Sequence, residues 1–426
     1  MPAKPFIDLA SALQALPCAV ACAIVACSPG APRSEGGANV PRFAAAPATN
    51  ITDGCAAGYD TTVDYFPNKA TIRYSKQIRV EYRKHYKVLT ISPRGDSTKR
   101  LQYALVQCGT PHPDGFPPLR VIEVPVRRFI VSHPDYTSAV DLLGVTDRLV
   151  GVQAFKLITS PGVRARADSG RIAQVNSQEH LDVERIVALR PDVVLAYWSV
   201  SPQWNAHPKL AEVGIKTGVM VAHWEEAPLA QTEWLKVLGL YFNREQRAER
   251  AFDDIAARYE SLSARAKAVP KKPVVLLYLP NRDNWSIARP ERAAVRRIVD
   301  AGGRYFWSSV ADSVSFPIAP LERVLASGRH ADAWLDVPAR MSSVSEILAT
   351  DSRLGLFDAV RNGAVYSFGG GAERDGRRPY TDQWLTKPDI ILADLVKAFH
   401  PELVPNHAFT IMRRLAPAAA FSEAAR

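Results

Sequence analysis

Four groups of aromatic, amide and basic side chains stand directly after apolar, strand-like runs. Tyr197 and Trp198 follow Val193-Val194-Leu195-Ala196, with Trp204 close behind. Gln153, Phe155 and Lys156 follow the run Arg148 to Val152. Asn281, Arg282 and Trp285 follow the run from Val274, and Tyr305-Phe306-Trp307 follow Gly303. Aromatic faces give broad flat contact, and Arg or Lys gives charge-assisted hydrogen bonds, so the set suits a bulky, partly anionic organic ligand. The alternative for each aromatic alone is core packing; that both halves of the chain place them alike favours a site. His133 and His180 fall at strand ends, and His133 joins the ligand set. With no third ligand, these two do not make a metal site. Catalysis finds little support: there is no G-x-S-x-G, no Walker loop, no H-E-x-x-H and no cysteine pair at zinc spacing. Gly369-Gly370-Gly371 lacks the strand-then-helix setting of a dinucleotide loop. No catalytic residue, metal or cofactor is therefore expected.

The elements that would carry these groups alternate between strand and helix from Arg128 onward. Phe129-Ile130-Val131 reads as a strand, Tyr136 to Leu143 as a helix ended by Gly144, and Arg148 to Val152 as the next strand. One unit occurs twice. Leu181–Trp198 contains Val183-Glu184-Arg185-Ile186-Val187-Ala188, echoed by Leu321-Glu322-Arg323-Val324-Leu325-Ala326 within Pro320–Leu335. The register differs slightly, since Glu184 precedes Asp192 by eight residues and Glu322 precedes Asp332 by ten. Repetition of a helix-to-strand unit predicts two similar α/β lobes with parallel sheets. Between them, Ala227 to Val269 is helical. Asn243 reads as an N-cap with Gln246 three residues on, and Ala248, Ala251, Phe252, Ile255, Tyr259 and Leu262 form one apolar face to Ala268. A helix of this length reads as a stiff connector.

Upstream the pattern is different. Ile72/Tyr74, Ile78/Val80/Tyr82 and Tyr86/Val88/Thr90 alternate with period two, as in a small antiparallel β unit. That unit is either a partner-binding module or a structural extension packed on the next lobe, and the latter is the simpler reading. Cys55 and Cys108 are the only cysteines after residue 27. They suit one disulfide in an oxidising compartment, the alternative being two buried thiols. Leu9 to Ala26 is almost wholly apolar or small and ends Ile24-Val25-Ala26-Cys27. This reads as an export signal, with a membrane-spanning anchor as the alternative. The I-V-A-C ending resembles a bacterial lipobox, which implies lipid on Cys27. The net charge of +10 is scattered with no basic run, so nucleic acid is not an expected partner.

Three stretches carry a family resemblance: Asp141-Leu142-Leu143-Gly144-Val145-Thr146-Asp147-Arg148-Leu149-Val150-Gly151-Val152, Val183 to Ala196, and the helix near Trp234 with Leu238-Gly239. Together they resemble the extracytoplasmic substrate-binding proteins of ABC importers for ferric siderophores, haem and cobalamin, over residues 121 to 405. The resemblance implies two Rossmann-like α/β lobes joined by a long rigid helix, with the ligand in the cleft between them. It also implies that a surface glutamate on each lobe, here Glu184 and Glu322, docks on arginines of the membrane permease. The bland reading of both acids is first-turn residues favouring the helix dipole. The β-rich region lies outside the common family core.

The expected organisation is a lipoprotein signal peptide (1–27), flexible tether (28–58), β-rich extension (59–125), N-terminal lobe (126–226), connecting helices (227–269), C-terminal lobe (270–405) and tail (406–426). The expected function is capture of an iron(III) siderophore or similar bulky metal chelate by an exported, lipid-anchored monomer, periplasmic or at the cell surface, for delivery to an ABC permease. The rivals are an exported hydrolase using the same cleft and an adaptor lipoprotein acting through its β unit.

Overall fold

The computed structural model describes residues 46–93, 100–177, 180–198, 205, 207–307, 318–369 and 382–418. The extension is a four-stranded sheet of β1 (Ile78–Tyr82), β2 (Tyr86–Ile91), β3 (Leu101–Gln107) and β4 (Val121–Val124), in that order. The first three strands are antiparallel, as their alternation predicts, but β4 runs parallel to β3. The connection between Gln107 and Val121 is long enough to carry the chain back before β4 begins, which a tight hairpin could not do. Cys55 and Cys108 form a disulfide with their Cα atoms 4.8 Å apart. The expected tether, to residue 58, includes residues packed on the body. Asn50 is buried, and its amide donates to Asn68 O (2.7 Å) and to the Glu245 carboxylate (2.8 Å).

The N-terminal lobe runs β5 (Phe129–Val131), α1 (Thr137–Leu143), β6 (Leu149–Val152), α2 (Pro161–Asp168), β7 (Ala173–Gln174), the small pair β8 (Asn176–Ser177) and β9 (His180–Leu181), α3 (Val183–Leu189), β10 (Val193–Tyr197), α4 (His207–Glu212) and β11 (Thr217–Met220). Gly144 ends α1 at φ 67°, a left-handed position that glycine takes without steric cost. The connecting helices are α5 (Pro228–Thr232), α6 (Trp234–Tyr241) and α7 (Glu245–Ala268). The C-terminal lobe follows with β12 (Val274–Leu277), β13 (Asn284–Ser286), α8 (Ala293–Asp300), β14 (Arg304–Tyr305), β15 (Ile318–Pro320), α9 (Leu321–Gly328), β16 (Ala333–Val337), α10 (Val344–Thr350), α11 (Asp358–Arg361), β17 (Val365–Phe368), α12 (Pro388–Phe399) and β18 (Met412–Arg414).

The two main sheets are ordered β11-β10-β5-β6-β7 and β14-β12-β16-β17-β18. Leaving aside the edge strands β7 and β18, each lobe sets its first strand between its second and third, with the fourth outside the third. The repeated sequence unit is the third strand and its preceding helix in both. Its aspartates share a role: the Asp192 carboxylate accepts the backbone N–H groups of Arg127 and Arg128 (2.9 Å each), and that of Asp332 accepts Val274 N–H (2.7 Å). Each thereby pins the start of the lobe's first strand. The two-residue difference in register comes from the turn. Arg190 reverses the chain at φ 47°, whereas Arg329 keeps helical angles and lengthens the exit from α9.

The connecting helix α7 has 24 residues, about 36 Å at the standard rise. Asn243 is not its N-cap. It sits at φ 55° and sends its amide to Ile51 O (2.7 Å) and Gln107 Oε1 (2.9 Å), so the helix begins at Glu245 without a side-chain cap. Its neighbour α6 is buried on every side, including Lys236, whose ammonium lies 3.1 Å from Glu249 and donates to Thr71 O at 2.6 Å. Residues 406–418 of the expected tail are also structured. The buried Asp394 carboxylate accepts Ile411 N–H and Met412 N–H (2.7 Å each), and β18 pairs antiparallel with β17.

Candidate ligand-binding cleft

In open parallel sheets the groups beyond the carboxyl ends of strands converge on one edge. In the N-terminal lobe that edge carries a column of rings. His133, two residues past β5, stacks on Tyr197 at the end of β10, with centroids 4.6 Å apart and planes 22° from parallel. Tyr197 stacks in turn on His223, past β11, at 4.3 Å and 19°. Trp224 adjoins His223 (5.3 Å) and Trp198 (5.6 Å). Local hydrogen bonds hold the column: Tyr197 N–H donates to Ser132 Oγ (2.8 Å), and Ala222 N–H donates to Tyr136 Oη (3.2 Å). Buried Asp135 lies 3.0 Å from His133 Nδ1, but out of line for a hydrogen bond. Burial and the Asp135 charge push the Tyr197 hydroxyl up, and the Arg292 guanidinium of the other lobe offsets part of that rise.

The facing wall belongs to the C-terminal lobe. His223 and Glu225 share a cavity of about 210 Å³ with Tyr278, Arg292, Arg297, Asp336 and Phe368. Tyr278, Asp336 and Phe368 stand at the ends of β12, β16 and β17, while the two arginines come from the start of α8 and its inner face. Tyr278 and Asp336 both have positive φ, 69° and 59°. Burial raises the Asp336 carboxyl to about 6, opposed by Arg297. Arg297 is buried and donates to Gln231 Oε1 at 2.8 Å, tying α8 to α5. The arrangement offers stacking on one side and guanidinium groups on the other. Among the described residues no group of three His, Cys, Asp or Glu could hold a metal ion.

A second tie crosses between the lobes. Asp382, fully buried ahead of α12, accepts Thr159 N–H (2.7 Å), Thr159 Oγ1–H (2.6 Å) and Ser160 N–H (2.8 Å) at the start of α2. Gln383 and Thr386 add contacts to Thr159 (2.6 Å) and Ser138 (2.9 Å).

Of the residues expected at the site, the fold brings together His133, Tyr197 and Trp198, which stand behind the cavity and reach it through His223 and Trp224 without lining it themselves. Gln153, Phe155 and Lys156 lie past β6 in a short turn, and none lines the cavity. Trp285 corrects the expectation outright. It is fully buried, donates to Leu277 O (2.7 Å) and stacks on Trp334 at 5.2 Å, because β13 pairs with β15 and turns the indole inward. Tyr305 is likewise core, its hydroxyl accepting Ala288 N–H (3.1 Å). Trp307 carries the Arg323 guanidinium over its ring at 5.1 Å, and Arg282 is exposed at φ 56°. Trp204, Cys27 and the glycine run beyond Gly369 lie outside the described residues, as does the side chain of His180. Glu184 is exposed in the first turn of α3; Glu322, in the first turn of α9, is paired with Arg353 at 2.8 Å.

Comparison with known proteins follows the same lines. An uncharacterised lipoprotein of Methanocaldococcus jannaschii is 24% identical over 296 residues, which is 66% of this chain and 67% of the relative. A periplasmic binding protein from Veillonella parvula superposes with a TM-score of 0.54 at 15% identity, covering 74% of this chain and 98% of its own. A periplasmic heme binding protein from Pseudomonas aeruginosa gives 0.50 at 21% identity, covering 65% and 93%. These two likenesses are of fold. The family model described as periplasmic binding protein matches residues 130–370. With more than half of its 426 residues inside that model, the chain belongs to the periplasmic binding protein family, as a solute-binding protein and not an enzyme.

Proposed function

We propose that the chain is the extracytoplasmic receptor of an ABC importer that takes an iron(III) siderophore, or a similarly bulky metal chelate, between its lobes. The observation that carries this reading is the ring column His133–Tyr197–His223, whose end ring, His223, lines a cavity together with Arg292 and Arg297. Flat π surfaces opposite fixed cations match a large ligand with an aromatic or macrocyclic body and anionic oxygens. The haem-binding relative of like fold makes haem a natural member of the test set. In the same reading, lipid on Cys27 holds the protein at a membrane, and Glu184 and Glu322 meet a basic permease.

Trp198 and Trp224 stand at the ring column, so ligand entry should change tryptophan fluorescence. Purified protein titrated with ferric siderophores, haem and cobalamin is expected to bind at least one at about micromolar strength or tighter. Tyr197→Ala should weaken that ligand by roughly tenfold or more, because His223, which lines the cavity, loses the ring that holds it in place. Binding of every one of these probes no tighter than roughly millimolar would overturn the ligand class.

A further inference from the structure

A larger cavity, about 470 Å³, opens beside the interlobe one and shares Glu225 and Arg292 with it. Three parts of the chain meet there: the loop before β1 of the extension, the segment past Trp224, and the start of α8. The extension loop is firmly built in. Fully buried Glu233 accepts the backbone N–H groups of Arg73 (2.6 Å), Tyr74 (2.7 Å) and Ser75 (2.7 Å). The Ser75 hydroxyl donates to Glu225, which also accepts Trp234 Nε1–H at 3.0 Å. Tyr74 Oη donates to Glu260 at 2.5 Å. Held this way, Tyr74 and Trp224 form flat walls, and Lys76 stands at the rim.

The charges are unequal in availability. Lys76 is exposed and has no ion-pair partner among the described residues. Arg296 reaches Asp300 only at 3.8 Å. Of the three carboxylates that line it, Glu291 is paired with Arg289 (3.3 Å), Glu225 is buried, hydrogen-bonded and pushed toward its neutral form by burial, and Glu226 is exposed. Lys76, Arg289, Arg292 and Arg296 outnumber Glu226 and Glu291, so the balance is a cationic pocket with aromatic sides, open to the cleft.

We infer that the β-rich extension closes this side of the cleft with an accessory pocket for a carboxylate-bearing arm of the ligand, contacted by Lys76, Arg292 and Arg296. This rests on the cleft being the ligand site, and it gives the extension a part in selecting the ligand. Charge-assisted hydrogen bonds would supply the preference for oxyanions.

The test uses the full chain, wild type and Lys76→Glu/Arg296→Glu, titrated with haem, haem dimethyl ester and citrate. Both substituted side chains are exposed, and the milder Lys76→Gln serves as a second variant should the double reversal fail to fold. Wild type is expected to bind haem about tenfold more tightly than the ester, whose carboxylates are capped, and the double reversal should abolish that preference by weakening haem alone. Equal binding of haem and ester by wild type, or a preference that survives the reversal, overturns the inference. If neither porphyrin binds, the haem arm of the functional reading fails separately and citrate decides the pocket. Citrate binding that the reversal weakens about tenfold upholds an anion pocket for free carboxylates, and citrate that fails to bind or ignores the reversal overturns it.

Discussion

Asp336 and Arg297 stand with Glu225 and Arg292 as the charged groups of the interlobe cavity. The Asp336 carboxyl is raised to about 6 by burial, against the pull of the Arg297 guanidinium, so it gains a proton just below neutral pH. An anionic ligand should therefore bind more tightly as pH falls through about 6, by roughly three- to tenfold between pH 7.5 and 5.5. Asp336→Asn is expected to bind over that whole range as wild type does at the acid end; a wild-type affinity that does not change would remove Asp336 from the site. The stability effect runs in the same direction. Between its ordinary value of 3.8 and about 6 the folded chain keeps a proton that the unfolded chain has lost, so this group's contribution falls as pH rises through that window and is flat above it. Residues such as Asp336 were not legible beforehand, since a polar residue near the end of a strand looks like any turn residue. His223 and Trp224 were missed because their strand, Thr217–Met220, is short and contains Gly218, which reads as a break. Gly218 is there because a Cβ would come within 2.3 Å of Tyr241 Oη. Trp285 was misplaced for the converse reason: the strand before it ends at Leu277, earlier than its apolar run suggests, and the loop folds back on the core.

Among the elements, the extension shows most clearly what periodicity does and does not reveal. Alternation located β1 to β3 closely, yet Lys87 in β2 reads as a solvent-facing position of that alternation. It is fully buried instead, with Nζ 2.7 Å from the equally buried Glu245 carboxylate and donating to Leu240 O (2.6 Å) and Asn243 Oδ1 (2.9 Å). Burial pushes the Lys87 ammonium down, opposed by Glu245. A period-two pattern separates two faces but cannot say that a helix covers the polar one. The contact makes extension and connector one body, so Lys87→Ala should lower stability by about 3–5 kcal/mol, because Glu245 would be left buried and unpaired. The Lys87→Met/Glu245→Leu pair should recover most of that loss. Urea midpoints of the three proteins check both statements, and a Lys87→Ala midpoint equal to wild type would mean that the pair contributes nothing to docking the extension. The lobes themselves were more legible, since their repeated helix and strand carry both period and spacing, and the helix-to-strand unit recurs at matching places in the two sheets.

At the scale of the molecule, the spacing between lobes matters as much as either cleft wall. The 24-residue α7 fixes it along one side, and the buried Asp382 carboxylate, bonded to Thr159 and Ser160, fixes it along another. Two ties at separate points leave little room for the lobes to swing independently. The exposed acids of α3 and α9 are then carried at a set separation, and the proposed docking on a permease would read them at that separation. They are unequal, however. Glu184 makes no ion pair among the described residues, while Glu322 shares Arg353 with Asp283 (2.6 Å) and Asp351 (2.7 Å). Exposed pairs of this kind contribute about 0–1 kcal/mol, so Arg353 can yield to a partner's arginine, but it lowers the net charge that Glu322 presents. Glu184→Ala/Glu322→Ala should cut transport by about tenfold or more while chelate affinity in solution stays within about twofold of wild type. Glu184→Ala alone should cost more transport than Glu322→Ala alone. Arg353→Ala, by freeing three carboxylates at the C-terminal lobe, should leave transport intact or raise it. Uptake by vesicles carrying the permease, measured beside fluorescence titration, separates the two effects. A fall in affinity that matches the fall in uptake would place the acids in ligand capture and remove them from docking.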